Sequence, residues 1–496
     1  MNTKQLRQKI LDLAIRGKLI PQDPANEPAS ALLERVRAEK ERLIKEGKIK
    51  RNKKDSVIFR GDTKLHYGNV PFDVPDGWAW CRLGDVCLDF QYGTSQKSEK
   101  QGKVAVLRMG NLQKGEVDYN DLAFTSDEAD IKKYSLNSNE ILFNRTNSPE
   151  WVGKTAIYRG EMPAIFAGYL IRVAPVMINP FYLNFLMNSE YHRSICLQVK
   201  TDGVNQSNIN ARKLSNFIYP LPPLAEQRRI VTAIESAFTV IDEIERNKAD
   251  LQAAVSATKQ KILALAIRGK FVPQDPNDES TSILLERIRA ERGQHIKAGK
   301  IKREQEDPAI IKSDDKSYYE NLPVGWAMYP IERLFFVVGG GTPSTANLDY
   351  WGDGVPWFSS ADIDEKGNVS PRRCVTQLGI DNSTTNVVPE GSIVIVTRVG
   401  LGKVAVLNRK MCFSQDNQAL IPRYPEVVHN RYLFYFLFQE MQTLKYSGRG
   451  TTISGITKKQ LTDINLLLPP ITEQRRIVVA IEAAFEELDI IAEKLS

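Results

Sequence analysis

The chain has 496 residues, five cysteines and a formal net charge of +7, with 42% hydrophobic and 26% charged residues. This composition fits a core-forming protein of a reduced compartment. It argues against a secreted or membrane-spanning chain, because the cysteines show no C-x-x-C spacing and no apolar run approaches about 18 residues. Four scattered histidines predict no metal cluster, and the positive charge is compatible with a polyanionic partner.

Residues 1–55 predict two helices, over about 1–16 and 30–46, separated by Gly17 and a Pro-Gln-Asp-Pro turn. The basic segment KEGKIKRNKK follows from Lys45, and a milder copy begins at Lys297. This segment is either a solvated linker or a phosphate contact beside a DNA-reading domain.

Two globular domains are predicted, over 71–220 and 321–467, because their frameworks match although most of their residues differ. Each opens with a Gly-Trp-Ala turn, continues through short β-branched strands and polar turns that contain glycine, and closes with a strand into Leu-Pro-Pro. An aromatic amphipathic helix lies within each, over 180–199 and 430–446. Short strands with a few helices indicate a mixed α+β fold.

The centre of the chain, residues 221–303, is repeated at both chain ends. Its first 22 residues recur from Leu468 with 15 identities, and the 43 residues from Lys261 recur from Lys9 with 29 identities. The segment 468–496 followed by the N-terminus therefore rebuilds the centre. This predicts two equivalent halves in a circular arrangement with pseudo-twofold symmetry.

A heptad pattern of apolar residues runs through the centre from Ile230 to Leu265 and continues in both chain termini. It predicts a helix over 224–268, roughly 65 Å long at about 1.5 Å per residue. The expected partner is the C-terminal helix, about 471–495, together with the N-terminal helix, both antiparallel to the central one. An intermolecular coiled coil or a solvent-bridging helix is the alternative.

Sequence motifs for catalysis are incomplete. The segment 153–155 resembles the end of a phosphate-binding loop but precedes a strand, and 179–182 fits a helix start better than a methyltransferase loop. The triplet 364–366 resembles a nuclease motif, yet such triplets occur by chance in a highly charged chain. The sequence therefore predicts no catalytic residue and no bound cofactor.

Polar turns at matched positions of the two domains carry side chains that bond to base edges, where Arg pairs with guanine and Asn or Gln with adenine. Each of them is as compatible with an ordinary surface turn. The DNA-contacting candidates of the first domain are Gln91, Thr94, Gln96, Lys97, Arg108, Asn111, Arg145, Asn147, Asn205 and Gln206. Those of the second domain are Thr342, Ser344, Ser359, Ser360, Asp362, Arg398, Gln415, Asn417, Arg449, Thr451, Thr452 and Ser454.

The order of helix, variable domain and LPP-x-x-EQRRI helix, present twice, resembles the specificity subunit of type I restriction–modification systems. The resemblance covers essentially the whole chain, and its most specific parts are Leu221–Ile230, Leu468–Ile477, the paired AIRGK-x-x-PQDP segments and GGGTPSTANLDYWGDGVPWFSSADI from Gly339. It implies two target recognition domains, separated by long antiparallel coiled-coil helices, that each read half of a split DNA sequence. One departure is that NRTNSPEWVGK in the first domain replaces the shorter TRVGLGK of the second.

The resemblance also implies partners. These are double-stranded DNA, two methyltransferase subunits docked on the helices, and restriction and translocase subunits joined through the complex, all in the cytoplasm and away from membranes. S-adenosylmethionine is expected in the methyltransferase subunits, with no cofactor in this non-catalytic chain. The alternatives are a self-contained methyltransferase or nuclease with an unrecognised site, or a coiled-coil scaffold that binds no nucleic acid.

Overall fold

The computed structural model describes residues 2–49, 70–204, 206–297, 310–312, 322–447 and 455–495. The chain divides into two compact units, Met1–Asn247 and Lys248–Ser496. Within the described ranges, no helix provides an apolar stretch long enough to cross a membrane.

The first unit combines helices with short strands. Its helices are α1 Thr3–Ile15, α2 Ala29–Lys45, α3 Leu83–Val86, α4 Glu128–Tyr134, α5 Pro180–Met187, α6 Glu190–Val199, α7 Ala211–Ser215 and the start of α8 Leu224–Ala266. Its strands are β1 Ala79–Arg82, β2 Cys87–Tyr92, β3 Val104–Leu107, β4 Leu112–Gln113, β5 Gly115–Val117, β6 Ala123–Thr125, β7 Glu140–Asn144, β8 Thr146–Asn147, β9 Thr155–Tyr158, β10 Ala164–Phe166, β11 Leu170–Pro175, β12 Thr201–Asp202, β13 Ser207–Asn208 and β14 Ile218–Leu221.

The second unit contains a similar set of helices and short strands. After the end of α8, its helices are α9 Thr281–Lys297, α10 Ile331–Leu334, α11 Gln377–Asp381, α12 Asn430–Ser447, α13 Lys458–Thr462 and α14 Ile471–Leu495. Its strands are β15 Ile311–Lys312, β16 Ala327–Pro330, β17 Phe335–Gly339, β18 Trp351–Phe358, β19 Arg373–Val375, β20 Ile393–Val396, β21 Val404–Val406, β22 Cys412–Phe413, β23 Asn417–Pro422 and β24 Asn465–Leu468. The α+β prediction is confirmed in both units.

A mostly antiparallel sheet forms the middle of each unit. In the first unit the strand order is β2-β11-β7-β9-β5-β4, and in the second it is β17-β23-β20-β21. A smaller sheet lies beside each, in the order β10-β3-β6 or β22-β18-β19. In both small sheets one pair is parallel and the other antiparallel, so the two units share the topology of seven strands, which β4 and β5 extend in the first unit.

The helix predicted over 180–199 is two helices in the structure, which corrects the prediction. The break falls at Ser189, whose hydroxyl donates to the carbonyl of Leu186 (2.6 Å) and accepts the backbone N–H of His192 (3.3 Å). This side chain caps α6, because a serine oxygen satisfies a free N–H at a helix start. The corresponding helix of the second unit, α12, is a single element as predicted.

Within the first unit, α1 packs antiparallel to the start of α8. Arg7 forms an ion pair with Asp242 (2.6 Å) and its guanidinium lies 4.8 Å from the ring centre of Phe238. Farther along, Asp23 lies 3.5 Å from Arg229, so residue numbers rise in one segment as they fall in the other. The predicted antiparallel pairing is present here.

Within the second unit, α14 packs against the end of α8 through an equivalent ion pair and an equivalent cation–ring contact. Lys259 pairs with Asp489 (2.5 Å), and its ammonium lies 5.1 Å from the ring centre of Phe485. These residues are the repeat counterparts of those that join α1 to α8. The heptad residues in the middle of α8 differ from the expectation, since Ile244 and Leu251 are 38% and 44% exposed.

A buried tryptophan–glutamate contact joins the opening turn of each predicted globular domain to the start of a helix. The indole N–H of Trp78 donates to Glu226 (3.0 Å), and that of Trp326 donates to Glu473 (3.0 Å). These are the Trp of the Gly-Trp-Ala turns and the Glu of the EQRRI segments. The repeats thus preserve a contact between residues roughly 150 positions apart, as their common fold requires.

Burial raises the pKa of the Glu226 and Glu473 carboxyls above the usual range. A carboxyl whose pKa is higher in the folded state binds its proton first in that state, so stability rises as the pH falls through the folded pKa towards about 4.5. We expect the E226Q/E473Q double variant to lose this increase, because glutamine still accepts the indole N–H but does not titrate. Urea unfolding at pH 5 and pH 8 measures the effect, and an unchanged pH dependence in the double variant would contradict it.

Candidate nucleic-acid interface

Several polar turns of the first unit leave one edge of its central sheet. Strand β2 ends at Tyr92, paired with Ile171, and β7 ends at Asn144, paired with Leu170 at the start of β11. The segments that follow β2 and β7 and precede β11 therefore meet at the same place, which we call the first recognition edge. The sheet holds the ends of these segments fixed.

Arg145 lies at this edge directly after β7. Its guanidinium stacks 4.7 Å from the ring centre of Tyr92, and Nη1 donates to the carbonyl of Gly168 (3.3 Å). The half-buried side chain is thus held on two sides, whereas Tyr169 beside it is 53% exposed. A planar, partly immobilised guanidinium is suited to directional hydrogen bonding with a base edge.

A small β-hairpin brings further candidates to the same edge. Strand β13 pairs with β8, so that Ser207 lies opposite Asn147, and the N–H of Ile209 donates to the carbonyl of Arg145 (2.9 Å). Gln206 is exposed, and Val204 at the tip is fully exposed. The structure therefore groups Arg145, Asn147 and Gln206, while the candidate Asn205 lies outside the described residues.

The candidates after β2 divide into exposed and buried ones. Gln96 and Lys97 are exposed, and Gln91 donates its amide to the carbonyl of Lys133 (3.1 Å). Thr94 is 4% exposed, and its hydroxyl bonds to the carboxylate of Asp130. Thr94 therefore holds the turn and offers no surface to a base, contrary to the prediction.

Asn111 is a second correction. It is 3% exposed, its side-chain oxygen accepts the N–H of Arg108 (2.8 Å), and its amide donates to the carbonyls of Asp118 and Asp121 (both 2.9 Å). These bonds shape the turn after β3 from inside. Arg108 remains 40% exposed and pairs with Asp121 (3.0 Å).

A buried histidine supports the long turn between β7 and β9. His192 accepts the hydroxyl of Tyr219 at Nδ1 (2.5 Å), and its Nε2 bonds to the carbonyl of Gly153 (2.9 Å). Burial lowers its pKa to about 4, so the imidazole is neutral near pH 7 and Nε2 carries the proton. Gly153 has φ +90°, and a Cβ there would lie 2.4 Å from Sγ of Cys196. The turn is thus supported from inside the domain by an imidazole that stays neutral near pH 7.

The second unit has an equivalent second recognition edge, formed by the end of β17, the end of β20 and the start of β23. Gly339 pairs with Gln418, and Val396 pairs with Asn417. On the turns that follow, the exposed Thr342 bonds to the exposed Gln415. Ser344 is exposed and accepts the indole N–H of Trp351 through its carbonyl (3.2 Å).

The candidate arginines Arg145 and Arg398, which follow matched strands in the two units, do not occupy equivalent positions. The backbone bonds that Arg145 makes with Tyr169 and Ile209 are made in the second unit by Thr397, with Asp416 (2.9 Å) and Ile456 (2.8 Å). Arg398 is therefore one residue beyond the counterpart of Arg145. Because successive residues of an extended chain point to opposite sides, Thr397 is buried and Arg398 is exposed.

The remaining candidates of the second unit differ in access. Asn417 is fully buried and its amide donates to Ser414 (3.1 Å), so it does not reach solvent, contrary to the prediction. Ser359, Ser360 and Asp362 form a short turn after β18. The candidates Arg449, Thr451, Thr452 and Ser454 lie outside the described residues, as do Lys50, Arg51, Lys53 and Lys54 of the basic segment.

Sequence reasoning missed several side chains near these edges. In the second unit, Trp351 and Trp357 pack edge to face (5.3 Å between ring centres), and Arg373 lies 5.5 Å from the ring centre of Trp351. In the first, Tyr92 and Tyr169 are 40% and 53% exposed. Aromatic residues at strand ends fit a core as well as a surface, so composition alone could not select them.

Comparisons with known proteins agree on one family. A family model of the type I restriction modification DNA specificity domain matches residues 75–252 and again 323–496. The EcoEI specificity subunit of Escherichia coli is 26% identical over 99% of this chain and 90% of its own length. The EcoAI specificity subunit of the same organism is 28% identical over 96% and 87%.

A solved structure shares the fold. It is described as the structural basis of complex assembly and conformational transition of the type I R-M system, and it superposes with a TM-score of 0.60 at 20% sequence identity. The match covers 86% of this chain and 94% of the solved one.

Proposed function

The chain belongs to the family of type I restriction–modification DNA specificity subunits, and we propose that its two recognition domains read the two halves of a bipartite, asymmetric DNA target. The subunit is a DNA-recognition component and not a catalytic one. The proposed recognition domains are residues 71–220 and 321–467. The supporting observation is that two domains of one topology present different polar side chains at equivalent sheet edges.

The set of proposed DNA contacts is smaller than the set of candidates predicted from the sequence. They are the accessible candidates of each edge: Gln91, Gln96, Lys97, Arg108, Arg145, Asn147 and Gln206 in the first domain, and Thr342, Ser344, Ser359, Ser360, Arg398 and Gln415 in the second. Thr94, Asn111 and Asn417 are assigned to shaping the turns, and the candidates outside the described residues stay predictions. Fixed side chains at rigid strand ends suit direct readout, since specificity depends on geometry.

The partners we propose are two methyltransferase subunits, which bind S-adenosylmethionine and dock on α1, α8 and α14, together with restriction and translocase subunits in the cytoplasm. In this arrangement the chain chooses the site and other subunits modify or cleave the DNA. The competing hypothesis of a self-contained methyltransferase or nuclease is tested by titrating the pure chain with S-adenosylmethionine. Binding without the methyltransferase subunit would favour that hypothesis.

The two arginines at the recognition edges should act on different half-sites. We expect R145A and R398A each to cost roughly 1–3 kcal/mol of binding and to relax the base preference in one half-site only. Binding of the methyltransferase complex to its mapped target and to single-base variants measures this. R193A, which removes an exposed arginine from α6, is the matched control, and equal losses on specific and random DNA would contradict the assignment.

The basic segment should contribute affinity without specificity. Replacing Lys48, Lys50, Arg51, Lys53 and Lys54 by glutamine should weaken binding to all sequences. The salt dependence should flatten by about 0.9 in slope for each lost phosphate contact. Titrations between 50 and 200 mM salt on target and random DNA measure it. An unchanged slope would identify the segment as a solvated linker.

A further inference from the structure

The second unit has an open cavity of about 300 Å³ beside its recognition edge. Its walls are Trp357, Ser359, Ala361, Asp362, Arg372 and Arg373. The N–H of Ser414 donates to the carbonyl of Phe358 (3.0 Å), and a Cβ at Gly400 would lie 3.5 Å from that of Ser360. The cavity therefore borders the turns that carry Gln415 and Arg398, and it continues the surface assigned to DNA.

One arginine at this cavity is held by a buried carboxylate. Nε of Arg372 lies 2.9 Å from Oδ1 of Asp362, and the two side chains are 76% and 7% exposed. The other oxygen of Asp362 accepts the N–H and the hydroxyl of Ser359 (both 2.9 Å). Asp362 was a candidate base contact, but both of its oxygens are engaged and it is turned inward. Its charge holds the guanidinium of Arg372 at the rim of the cavity, where the arginine side chain stays largely exposed.

The equivalent turn of the first unit, which lies within the described residues, is built differently. Asn111 stands in the position of Asp362, since it accepts the N–H of Arg108 (2.8 Å) as Asp362 accepts that of Ser359. A neutral amide cannot hold a guanidinium by charge. Arg108 pairs instead with Asp121, a carboxylate that is 93% exposed and hence not fixed. At this turn, the ion pair between an arginine and a carboxylate that is only 7% exposed is found in the second domain.

We propose that Arg372 reads a guanine in the half-site of the second domain and that Asp362 is its positioning residue. This inference rests on the proposed function and names one contact within it. A guanidinium held near the cavity by an ion pair presents two parallel donors, which match the O6 and N7 acceptors of guanine. Trp357 and Arg373 line the cavity, and Arg373 is held from outside it by the ring of Trp351, so the cavity suits a flat base edge.

A phosphate is the less suitable ligand for this group. The charge of Asp362 offsets that of Arg372, which weakens its attraction to a polyanion, whereas directional bonds to two neutral acceptors remain. Fixing the guanidinium before binding also reduces the conformational entropy lost on contact. Arg372 should therefore contribute to discrimination more than to overall affinity.

The test uses the complex of the full chain with its methyltransferase subunits. The target is first mapped from the sites that the wild-type complex methylates, and binding is then measured on duplexes that vary each base pair in turn. R372A should lose about tenfold to a hundredfold discrimination at one G·C pair and change binding to random DNA little. R372K keeps the charge without the planar fork and should show the same loss.

The D362N variant tests whether Asp362 positions Arg372, and the first unit shows that an asparagine fits the same turn. Because Asn111 makes the equivalent turn in the first unit, D362N should keep the fold while releasing Arg372. It should lose discrimination at the same base pair, and the R372A/D362N double variant should be no worse than R372A. R409A removes an exposed arginine from the opposite end of β20 and β21, and it should leave discrimination unchanged.

Three results would overturn the inference while leaving the proposed function intact. The first is an equal loss of binding on all sequences for R372A, which would indicate a phosphate contact. The second is an additive loss of discrimination in the double variant. The third is a loss of discrimination at a different base pair for D362N. An absence of any sequence preference in the wild-type complex would instead contradict the proposed function.

Discussion

A fragment that ends at Asn247 is expected to form a twofold dimer and, with the methyltransferase subunit, to methylate an inverted repeat of one half of the parent target. The fragment coincides with the first compact unit and holds one recognition domain, α1 and the start of α8. By the repeat offset, Asn247 corresponds to Lys494, so the fragment ends almost as the whole chain does.

Exposed apolar side chains on the helices supply the driving force for this dimer. Leu6, Val240 and Ile244 are 36%, 54% and 38% exposed, beside the ion pair of Arg7 and Asp242. Isologous contacts between two copies would bury these side chains twice, but without a covalent joint the association depends on concentration. I244E should therefore weaken the dimer without unfolding the fragment.

Sedimentation of the fragment and mapping of methylated sites provide the measurement. An R145A fragment should relax the base preference in both halves of the inverted repeat, because both halves are then read by the same domain. The two halves of the chain are not interchangeable if the fragment stays monomeric at high concentration or methylates the parental asymmetric sites.

Gln474→Ala is expected to destabilise the second unit by about 3 kcal/mol or more, because it leaves several buried polar groups unpaired at about 1–3 kcal/mol each. The fully buried amide of Gln474 donates to the carbonyls of Val427 and Pro469 (both 2.9 Å) and accepts the N–H of His429 (2.8 Å). It joins the start of α14 to the segment before α12. Arg475→Ala, at the exposed neighbour, should stay within about 0.5 kcal/mol of the wild type.

The repeat provides an internal comparison. Gln227 makes the matching bonds in the first unit, donating to the carbonyl of Pro222 (2.9 Å) and accepting the N–H of Asn179 (2.8 Å). Q227A should therefore expose amides of the first unit to hydrogen exchange, and Q474A those of the second. Stability that is unchanged in both variants, by urea unfolding and by exchange, would show that these bonds do not hold the domains to their helices.

The sequence by itself determined the elements that depend on repetition and local chemistry. The heptad spacing predicted α8 to within two residues at its end, and Asn179 caps a helix at the predicted helix start. The copies also implied equivalent contacts, which the Trp78–Glu226 and Trp326–Glu473 pairs confirm. Such signals are readable because periodicity and capping act over a few residues, and a repeated segment keeps the surroundings it needs.

Only the tertiary structure decided which turn residues reach solvent. Arg145 and Arg398 were both candidates from turns at the ends of matched strands, but strand pairing places Thr397 at the position of Arg145, and an offset of one residue reverses the direction of a side chain. Similarly, the side chain of Asn111 makes three hydrogen bonds inside the domain and does not reach solvent. The partner of Asp362 is an arginine that directly precedes strand β19. These outcomes depend on contacts between distant segments, and spacing along the chain carries no information about them.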